Sequence, residues 1–440
     1  MKRSVIRSAT AAALTVTASV ACIGMAPHAR AATTDPFFTY SGSTPLASYK
    51  PGAVLKTRTL PYHVVGIPTP VQAVQILYRT IDAQGRPAAN VTSILKPVGG
   101  GDPSKAVSFQ SYYDSGNPED GPSRAIAGDV RLGSALFDTE TLLIVPLLTQ
   151  GYSVIVADTE GQQADFLASP EYGTNTLDSI RATTHEPATG LNTSTRIGMI
   201  GYSGGSVAST WAAQLAPKYA PDVNKQLVGA AVGGVVVDPA HMTEYASGSL
   251  LWAGVMPTMM ATTARAYGED LSPYLSDYGK QVMPALSHEA MVNVLGRYPG
   301  LKWQQLFKPE YSTLASIPPL ARSLNKINMG SAPTPTIPMF LGQGANGALE
   351  GTLTNNLPGI GPGDGITVTG DVRALARQFC ADGNNGISYS QYDLLSHNTA
   401  EPVWAPQAIL WLNARFAGKT APSSCGHIPP GNSLAPLPTS

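Results

Sequence analysis

A serine flanked by glycines, in Gly201-Tyr202-Ser203-Gly204-Gly205, is the residue of this chain best suited to chemistry. An apolar run precedes it at 197–200, and a stretch typical of a helix follows at 207–213. Glycines on both sides let a strand and a helix pass close together at a tight turn. The G-x-S-x-G pattern between a strand and a helix is typical of a nucleophile elbow, which holds a serine Oγ at the end of a sheet. We therefore predict that Ser203 is a nucleophile.

A serine hydroxyl needs a base within hydrogen-bond reach, and a carboxylate that orients the base. For an elbow of this kind the chain order is serine, acid, histidine. That order leaves His397 and His427 as candidates for the base. We favour His397, because it lies between the last predicted strand, 387–392, and the last predicted helix, 402–416. His427 lies further on, in a proline-rich tail.

The acid is expected just after the strand predicted at 337–341, but the residues around Asn346 include no carboxylate. We interpret 348–363 as an insertion and predict that Asp364 is the acid, since apolar β-branched residues and then a helix follow it. Asp371 and Glu350 remain alternatives, and Asp371 stands where a helix N-cap is expected.

Acyl transfer also needs backbone donors that stabilise a developing oxyanion. The amide of Gly204, directly after the nucleophile, is the first expected donor, and the second is expected from the loop at 111–116. No His-Glu-x-x-His or Cys-x-x-Cys pattern occurs in the sequence. We therefore predict a site with neither a metal ion nor a cofactor.

Charge and targeting signals bear on where the protein acts. The 440 residues carry 28 basic and 29 acidic side chains, a net charge of -1, which argues against nucleic-acid binding and against a polybasic membrane contact. Residues 1–31 combine a basic start, an apolar run and an Ala-x-Ala signal, and predict a signal peptide cleaved near Ala31. No later apolar stretch is long enough to span a membrane. We expect a secreted, soluble monomer.

Three cysteines are present, and Cys22 lies within the predicted signal peptide. Cys380 and Cys425 remain as an even pair in an oxidising compartment, which predicts a disulfide bond between them.

The elements that must position these residues alternate between strands and helices, which predicts a mainly parallel sheet flanked by helices. The alternation stops between about 240 and 332, where the pattern is helical and seven of the eleven methionines occur. We predict a core in two parts, 32–240 and 333–440 with a C-terminal tail, and an inserted helical cap or lid at 241–332. Methionine side chains adapt to flexible apolar ligands, so some of them are candidates for substrate contact.

Several motifs in order resemble the secretory lipase family over about 60–425. They are Tyr112-Tyr113-Asp114, Ala157-Asp158-Thr159-Glu160-Gly161, Leu177–Ala182, Gly201–Gly205, Gly233-Gly234, Ala374–Cys380 and Ser396–Glu401. The resemblance implies an α/β-hydrolase fold with a helical cap, and hydrolysis of acylglycerols or other carboxylic esters. It implies that Ser203 is the nucleophile and His397 the base, and that Asp114 supplies the second oxyanion donor, with help from its side chain. It also supports the disulfide. The chain departs from the family at the acid, which a gapless comparison would place near Asn346.

The resulting prediction is a secreted serine hydrolase, a triacylglycerol lipase or carboxylesterase that works through an acyl-enzyme and acts on a lipid or ester substrate. One alternative is an exported short-chain esterase, acyltransferase or peptidase with the same fold. The other is a cell-surface binding protein without catalysis, which the missing carboxylate near Asn346 would favour.

Overall fold

A nine-stranded sheet forms the centre of the described residues, which are 35–353 and 357–439 of the computed structural model. The predicted signal peptide and its cleavage site near Ala31 lie outside these residues. The strands are β1 (Val54–Val64), β2 (Ile67–Ile81), β3 (Pro87–Lys96), β4 (Lys105–Gln110), β5 (Ser153–Ala157), β6 (Arg196–Tyr202), β7 (Leu227–Gly233), β8 (Met339–Gly344) and β9 (Ile387–Tyr392).

The strand order is β1-β2-β3-β5-β4-β6-β7-β8-β9. The pairs β1–β2, β2–β3 and β3–β5 are antiparallel, and every pair from β5–β4 to β8–β9 is parallel. The predicted mainly parallel sheet is therefore confirmed. Since β6, β8 and β9 run in the same direction, the residues that follow them lie at the same end of the sheet, beyond the carboxyl ends of these strands.

β1 is an element that the sequence pattern does not predict. The sequence at 33–70 is rich in prolines, and one of them, Pro61, lies inside the strand. β1 stands at the edge of the sheet, where a missing N–H on the outer side costs no ladder hydrogen bond.

Helices cover both faces of the sheet. The α-helices of the described residues are α1 (Pro122–Ala127), α2 (Ala135–Thr139), α3 (Thr141–Thr149), α4 (Ser169–His185), α5 (Gly204–Tyr219), α6 (Pro221–Asn224), α7 (Pro239–Ala246), α8 (Val255–Tyr267), α9 (Gly279–Leu286), α10 (Met291–Val294), α11 (Pro318–Lys326), α12 (Thr369–Ala381) and α13 (His397–Phe416).

Neighbouring residues of β6 belong to different halves of the core. Met199 joins a buried cluster that includes Trp211 of α5, and Ile200 joins one that includes Leu412 of α13. Successive side chains of a strand point to opposite faces, so a continuous apolar strand serves both layers at once. This packing fixes the end of β6, from which Ser203 follows.

Residues 241–332, all of which the structure describes, form helices and contain no strand. The segment leaves the sheet after β7 and returns to it at β8. Its seven methionines are all buried, and most pack in the large cluster beside α5. Filling an apolar core therefore accounts for most of them.

The predicted disulfide between Cys380 and Cys425 is present, with 5.6 Å between the two Cα atoms. It joins the end of α12 to the tail that follows α13. Closing a loop with a sequence separation of 45 stabilises the fold by about 4 kcal/mol in the chain-entropy model. Among the described helices, none has the length and apolar character required to cross a membrane.

Candidate active site

Ser203 stands at the turn between β6 and α5, with φ 51° and ψ −123°. A residue other than glycine rarely adopts a positive φ. In this strained turn the side chain of Ser203 points away from the sheet. The neighbouring glycines are required by contact: a Cβ at Gly201 would overlap the carbonyl of Gly205, and one at Gly205 would overlap the carbonyl of Gln110. The close approach expected from the sequence is thus present.

His397 and Asp364 complete a hydrogen-bonded chain with Ser203. The distance between Ser203 Oγ and His397 Nε2 is 2.8 Å, and that between His397 Nδ1 and Asp364 Oδ2 is also 2.8 Å. His397 is the first residue of α13, after β9, and its backbone N–H donates to the Asp364 carbonyl at 2.8 Å. Two bonds therefore join the histidine to the loop that carries the carboxylate.

Asp364 is fully buried and accepts several hydrogen bonds besides the one from His397. Its carboxylate accepts from the Thr367 N–H at 2.8 Å, the Thr367 hydroxyl at 2.8 Å and the Gln343 side-chain amide at 3.0 Å. Burial would raise the pKa of the Asp364 carboxyl, but the charge of His397 and these hydrogen bonds hold that pKa below its usual value. The group is therefore an ionised acceptor.

The ionised carboxylate determines which nitrogen of His397 carries the proton. Nδ1–H donates to Asp364, which leaves Nε2 free to accept the Ser203 proton. Burial would lower the pKa of His397, but the charge and hydrogen bond of Asp364, with the charges of Glu350 and Glu401, raise it above its ordinary value. A base with a raised pKa is better able to take a proton from a hydroxyl.

The alternative acids have other partners. Asp371 lies in the first turn of α12, accepts from Asn432 at 2.7 Å and stands 2.8 Å from His241 Nδ1. Glu350 accepts from the Trp252 indole at 2.7 Å and from the Asn398 N–H at 2.8 Å. Only Asp364 of these three carboxylates forms a recorded hydrogen bond with His397. His427 is exposed in the tail.

Asp114 lies beside the serine, with a φ of 36°. Its carboxyl packs against Gly204, where a Cβ would overlap Oδ1 of Asp114. Burial raises the pKa of Asp114 to about 7, although the charge of His397 opposes the shift. A carboxyl whose pKa is raised in this way keeps its proton to a higher pH than an exposed aspartate does, and while protonated it can donate a hydrogen bond as well as accept one.

Two buried carboxylates support the loop at 111–116 from the core. Glu140 accepts from the Tyr112 N–H at 3.0 Å and from the Ser111 hydroxyl. Glu160 accepts from the Ser115 N–H at 3.1 Å and from the Tyr172 hydroxyl at 2.9 Å. No sequence pattern marks Glu140 or Glu160 as a support for this loop, although Glu160 lies in one of the motifs that carry the family resemblance.

Two small cavities meet at Ser203. The first, of about 60 Å³, is lined by His397, Asn398 and Glu401, and we call it the histidine-side cavity. The second, of about 20 Å³, is lined by Phe166, Leu167, Val236, Met242, Val255 and Ile366, and we call it the apolar cavity. Trp252, Met291 and Asp114 line both. About 20 Å³ holds little more than one water molecule, so the site is nearly closed in this conformation.

A larger cavity, of about 660 Å³, opens beside Arg181 and His185. Arg181 is paired there with Asp178 at 2.9 Å and with Asp222 at 2.6 Å. Arg181 is thus satisfied by two carboxylates, and the cavity lacks the serine–histidine pair. The small cavities at Ser203 are therefore the better candidate for a reaction site.

The comparisons with known proteins agree on one family. The model of the secretory lipase family matches residues 129–357 and 358–424. Lipase 1 of Candida albicans is 31% identical over 399 residues, which cover 88% of this chain and 81% of that protein. A Mycobacterium tuberculosis protein named as a probable inactive lipase is also 31% identical, over 88% of this chain and 82% of its own length.

A solved structure of similar fold is Candida antarctica lipase A in its closed state. It is 24% identical, with a TM-score of 0.75, over 92% of this chain and 91% of that one. This likeness and the sheet topology confirm the predicted α/β-hydrolase fold. Because one relative is named as inactive, membership of the family does not by itself establish activity.

Replacing Asp364 with Asn tests the acid. When the N–H₂ of the asparagine faces the ring, it donates to Nδ1 instead of accepting from it. His397 is then expected to carry its proton on Nε2, where it cannot accept the proton of Ser203. We expect Asp364→Asn to lower kcat for p-nitrophenyl butyrate by about 1,000- to 10,000-fold.

The matched control is Asp371→Asn, which removes a buried carboxylate that contacts His241 instead. We expect its kcat to stay within a few-fold of the wild type, with both variants checked for folding by thermal melting. Equal losses in the two variants would contradict the assignment of Asp364.

Proposed function

The chain belongs to the secretory lipase family, and we propose that it is an exported hydrolase of carboxylic esters that acts through an acyl-enzyme on Ser203. The hydrogen-bonded chain from Ser203 through His397 to Asp364 carries the proposal. His397 takes the Ser203 proton as the oxygen attacks the ester carbonyl, and then gives that proton to the leaving alcohol. Water, activated by His397, hydrolyses the acyl-enzyme in the second step.

The backbone amides of Gly204 and Asp114 are proposed to stabilise the oxyanion. Gly204 begins α5, so its N–H is one of the donors that the helix itself leaves unpaired. The Asp114 carboxyl lies against Gly204 and adds a further donor when it is protonated. Loss of one such donor costs about 3 kcal/mol of transition-state stabilisation in comparable sites.

The two cavities are proposed to hold the two halves of the ester. His397 must reach the leaving oxygen to protonate it, so the alcohol lies in the histidine-side cavity. The acyl chain then lies in the apolar cavity. We propose a preference for short acyl chains, since the apolar cavity is small in this nearly closed conformation.

Export is the remaining part of the proposal. The Cys380–Cys425 disulfide is of the kind that persists in oxidising compartments, and the first 31 residues have the pattern of a cleaved leader.

The proposed nucleophile is tested by covalent labelling. A fluorophosphonate reacts with an activated serine, so we expect the wild type to be labelled and to hydrolyse p-nitrophenyl butyrate. Ser203→Ala is expected to lose both properties. Peptide mapping of the labelled wild type should place the label on Ser203. A wild type that is folded yet neither labelled nor active would favour the non-catalytic alternative.

The pH profile tests the Asp114 side chain. His397 must be neutral to accept a proton, so the rate is expected to fall at acid pH, below a pKa raised above the ordinary histidine value. Asp114 loses its proton above about pH 7, and its charge then opposes the oxyanion. We expect a bell-shaped profile of kcat/KM in the wild type.

Asp114→Asn keeps a neutral donor at every pH, so we expect it to lose the alkaline limb and to keep the acid limb. If the wild type has no alkaline limb, or the variant has the same one, the Asp114 side chain does not act in this way.

Chain-length preference tests the acyl site. We expect kcat/KM to be highest for p-nitrophenyl acetate to butyrate, and Met242→Ala, which enlarges the apolar cavity, to move the optimum towards longer acyl chains. Met260→Ala is the matched control, since Met260 is an equally buried methionine of the same segment that is not part of the apolar cavity. Each truncation is expected to cost about 2–5 kcal/mol of stability. A shift of the optimum in both variants, or in neither, would contradict the acyl assignment.

A further inference from the structure

A short segment of the cap region, residues 287–291, pairs directly with the loop at 111–116. The Met291 N–H donates to the Asp114 carbonyl at 2.8 Å, and the Gly116 N–H donates to the Glu289 carbonyl at 3.0 Å. Between these bonds, Ser115 and Ala290 form an antiparallel bridge. The helical insertion therefore adds a strand-like partner to the loop that contains the second oxyanion donor.

Asp114 is the residue of this loop that most needs such support. A φ of 36° is uncommon for a residue other than glycine, although aspartate adopts it more readily than most, and the surrounding contacts help to fix it here. Glu140 holds the loop from the core before Asp114, and Glu160 holds it after. The Asp114 carbonyl itself accepts a hydrogen bond from the Met291 N–H.

The contact between the segment and the loop is very close. A Cβ on Gly116 would stand 2.5 Å from the Ser287 carbonyl oxygen, so the segment lies against the backbone of the loop. The Met291 side chain also lines both cavities at Ser203. The same few residues thus cover the site and hold its donor loop.

We propose that Met291 is a positioning residue, whose backbone N–H holds Asp114 in the orientation that completes the oxyanion hole. The inference rests on the proposed ester hydrolysis. It means that the segment at 287–291 does more than limit access to the serine. If it moves away to admit substrate, the hole is lost, and the chemical step requires its return.

Proline at position 291 removes this donor with little other change. Met291 is the first residue of α10, where a proline fits because the helix does not use that N–H. The preceding Ala290 has φ −78° and ψ 153°, the conformation favoured before proline. Met291→Val is the matched control, since it loses the methionine side chain and keeps the N–H. The comparison of the two variants isolates one hydrogen bond.

The substrate is p-nitrophenyl acetate, whose acyl group is too small to depend on the apolar cavity. We expect kcat for Met291→Pro to be about 10- to 100-fold below that for Met291→Val, with KM similar, since loss of an oxyanion donor costs about 100- to 1,000-fold in comparable enzymes. If the segment only restricts access, Met291→Pro would instead match or exceed Met291→Val on this small ester.

A second pair of variants keeps the test decisive if the proline variant does not fold. Gly116→Ala forces the segment off the loop, and we expect the same loss of kcat. Gly279→Ala is its control, because the added Cβ would overlap the Leu306 carbonyl inside the same insertion, away from the loop. We expect Gly279→Ala to lower the melting temperature but to retain acetate turnover.

The outcomes separate the two proposals. A wild type that hydrolyses the acetate, with equal kcat in Met291→Pro and Met291→Val, overturns the positioning role alone. A wild type that neither hydrolyses esters nor reacts with a fluorophosphonate overturns both the proposed function and the positioning role.

Discussion

The hydrogen bond between His397 and the buried carboxylate of Asp364 is the interaction on which the arrangement of the site depends. A buried charge is costly unless it is paired and hydrogen-bonded, and Asp364 is fully buried. The Thr367 N–H donates to Oδ1 of the carboxylate, and the Gln343 side-chain amide at the end of β8 donates to Oδ2. His397 donates to Oδ2 as well and is held in one orientation as a result. The loop between β8 and α12 is therefore shaped around a charge, and the charge determines the tautomer of the histidine.

The sequence predicts the parts of this site that depend on local pattern. Ser203 stands out because a tight strand–helix turn requires glycines at fixed positions, and His397 stands out by its place between the last strand and the last helix. Asp364 could be predicted only with alternatives, because residues 345–363 separate it from the end of β8. Its contacts with Gln343 and His397 follow from the fold of the whole loop, which no local periodicity encodes.

The remaining features depend on long-range contacts. β1 is hard to predict because Pro61 lies inside it, and the sequence does not show that this strand stands at the edge of the sheet, where a proline is tolerated. Trp252, which packs edge-on against the His397 ring with 5.2 Å between the ring centroids, lies almost 150 residues away in the chain and has no motif around it. Glu140 has no motif around it, and the motif that includes Glu160 does not show that this side chain is buried or that it accepts a backbone N–H. Such residues are found only when the chain is folded.

Ser203 and Asp114, two residues with positive φ, flank the place where an ester carbonyl would react, and they are supported in different ways. The turn at Ser203 is held by the packed core, because Gly201 and Gly205 let β6 and α5 pass within contact distance of the neighbouring strand. The turn at Asp114 is held by buried carboxylates on the core side and by Met291 on the other. The proposed nucleophile is thus held by the sheet, whereas the proposed donor beside it is held in part by the segment at 287–291. A variant that loses the contact with Met291 would therefore keep the sheet and the elbow while the loop at 111–116 loses its outer support.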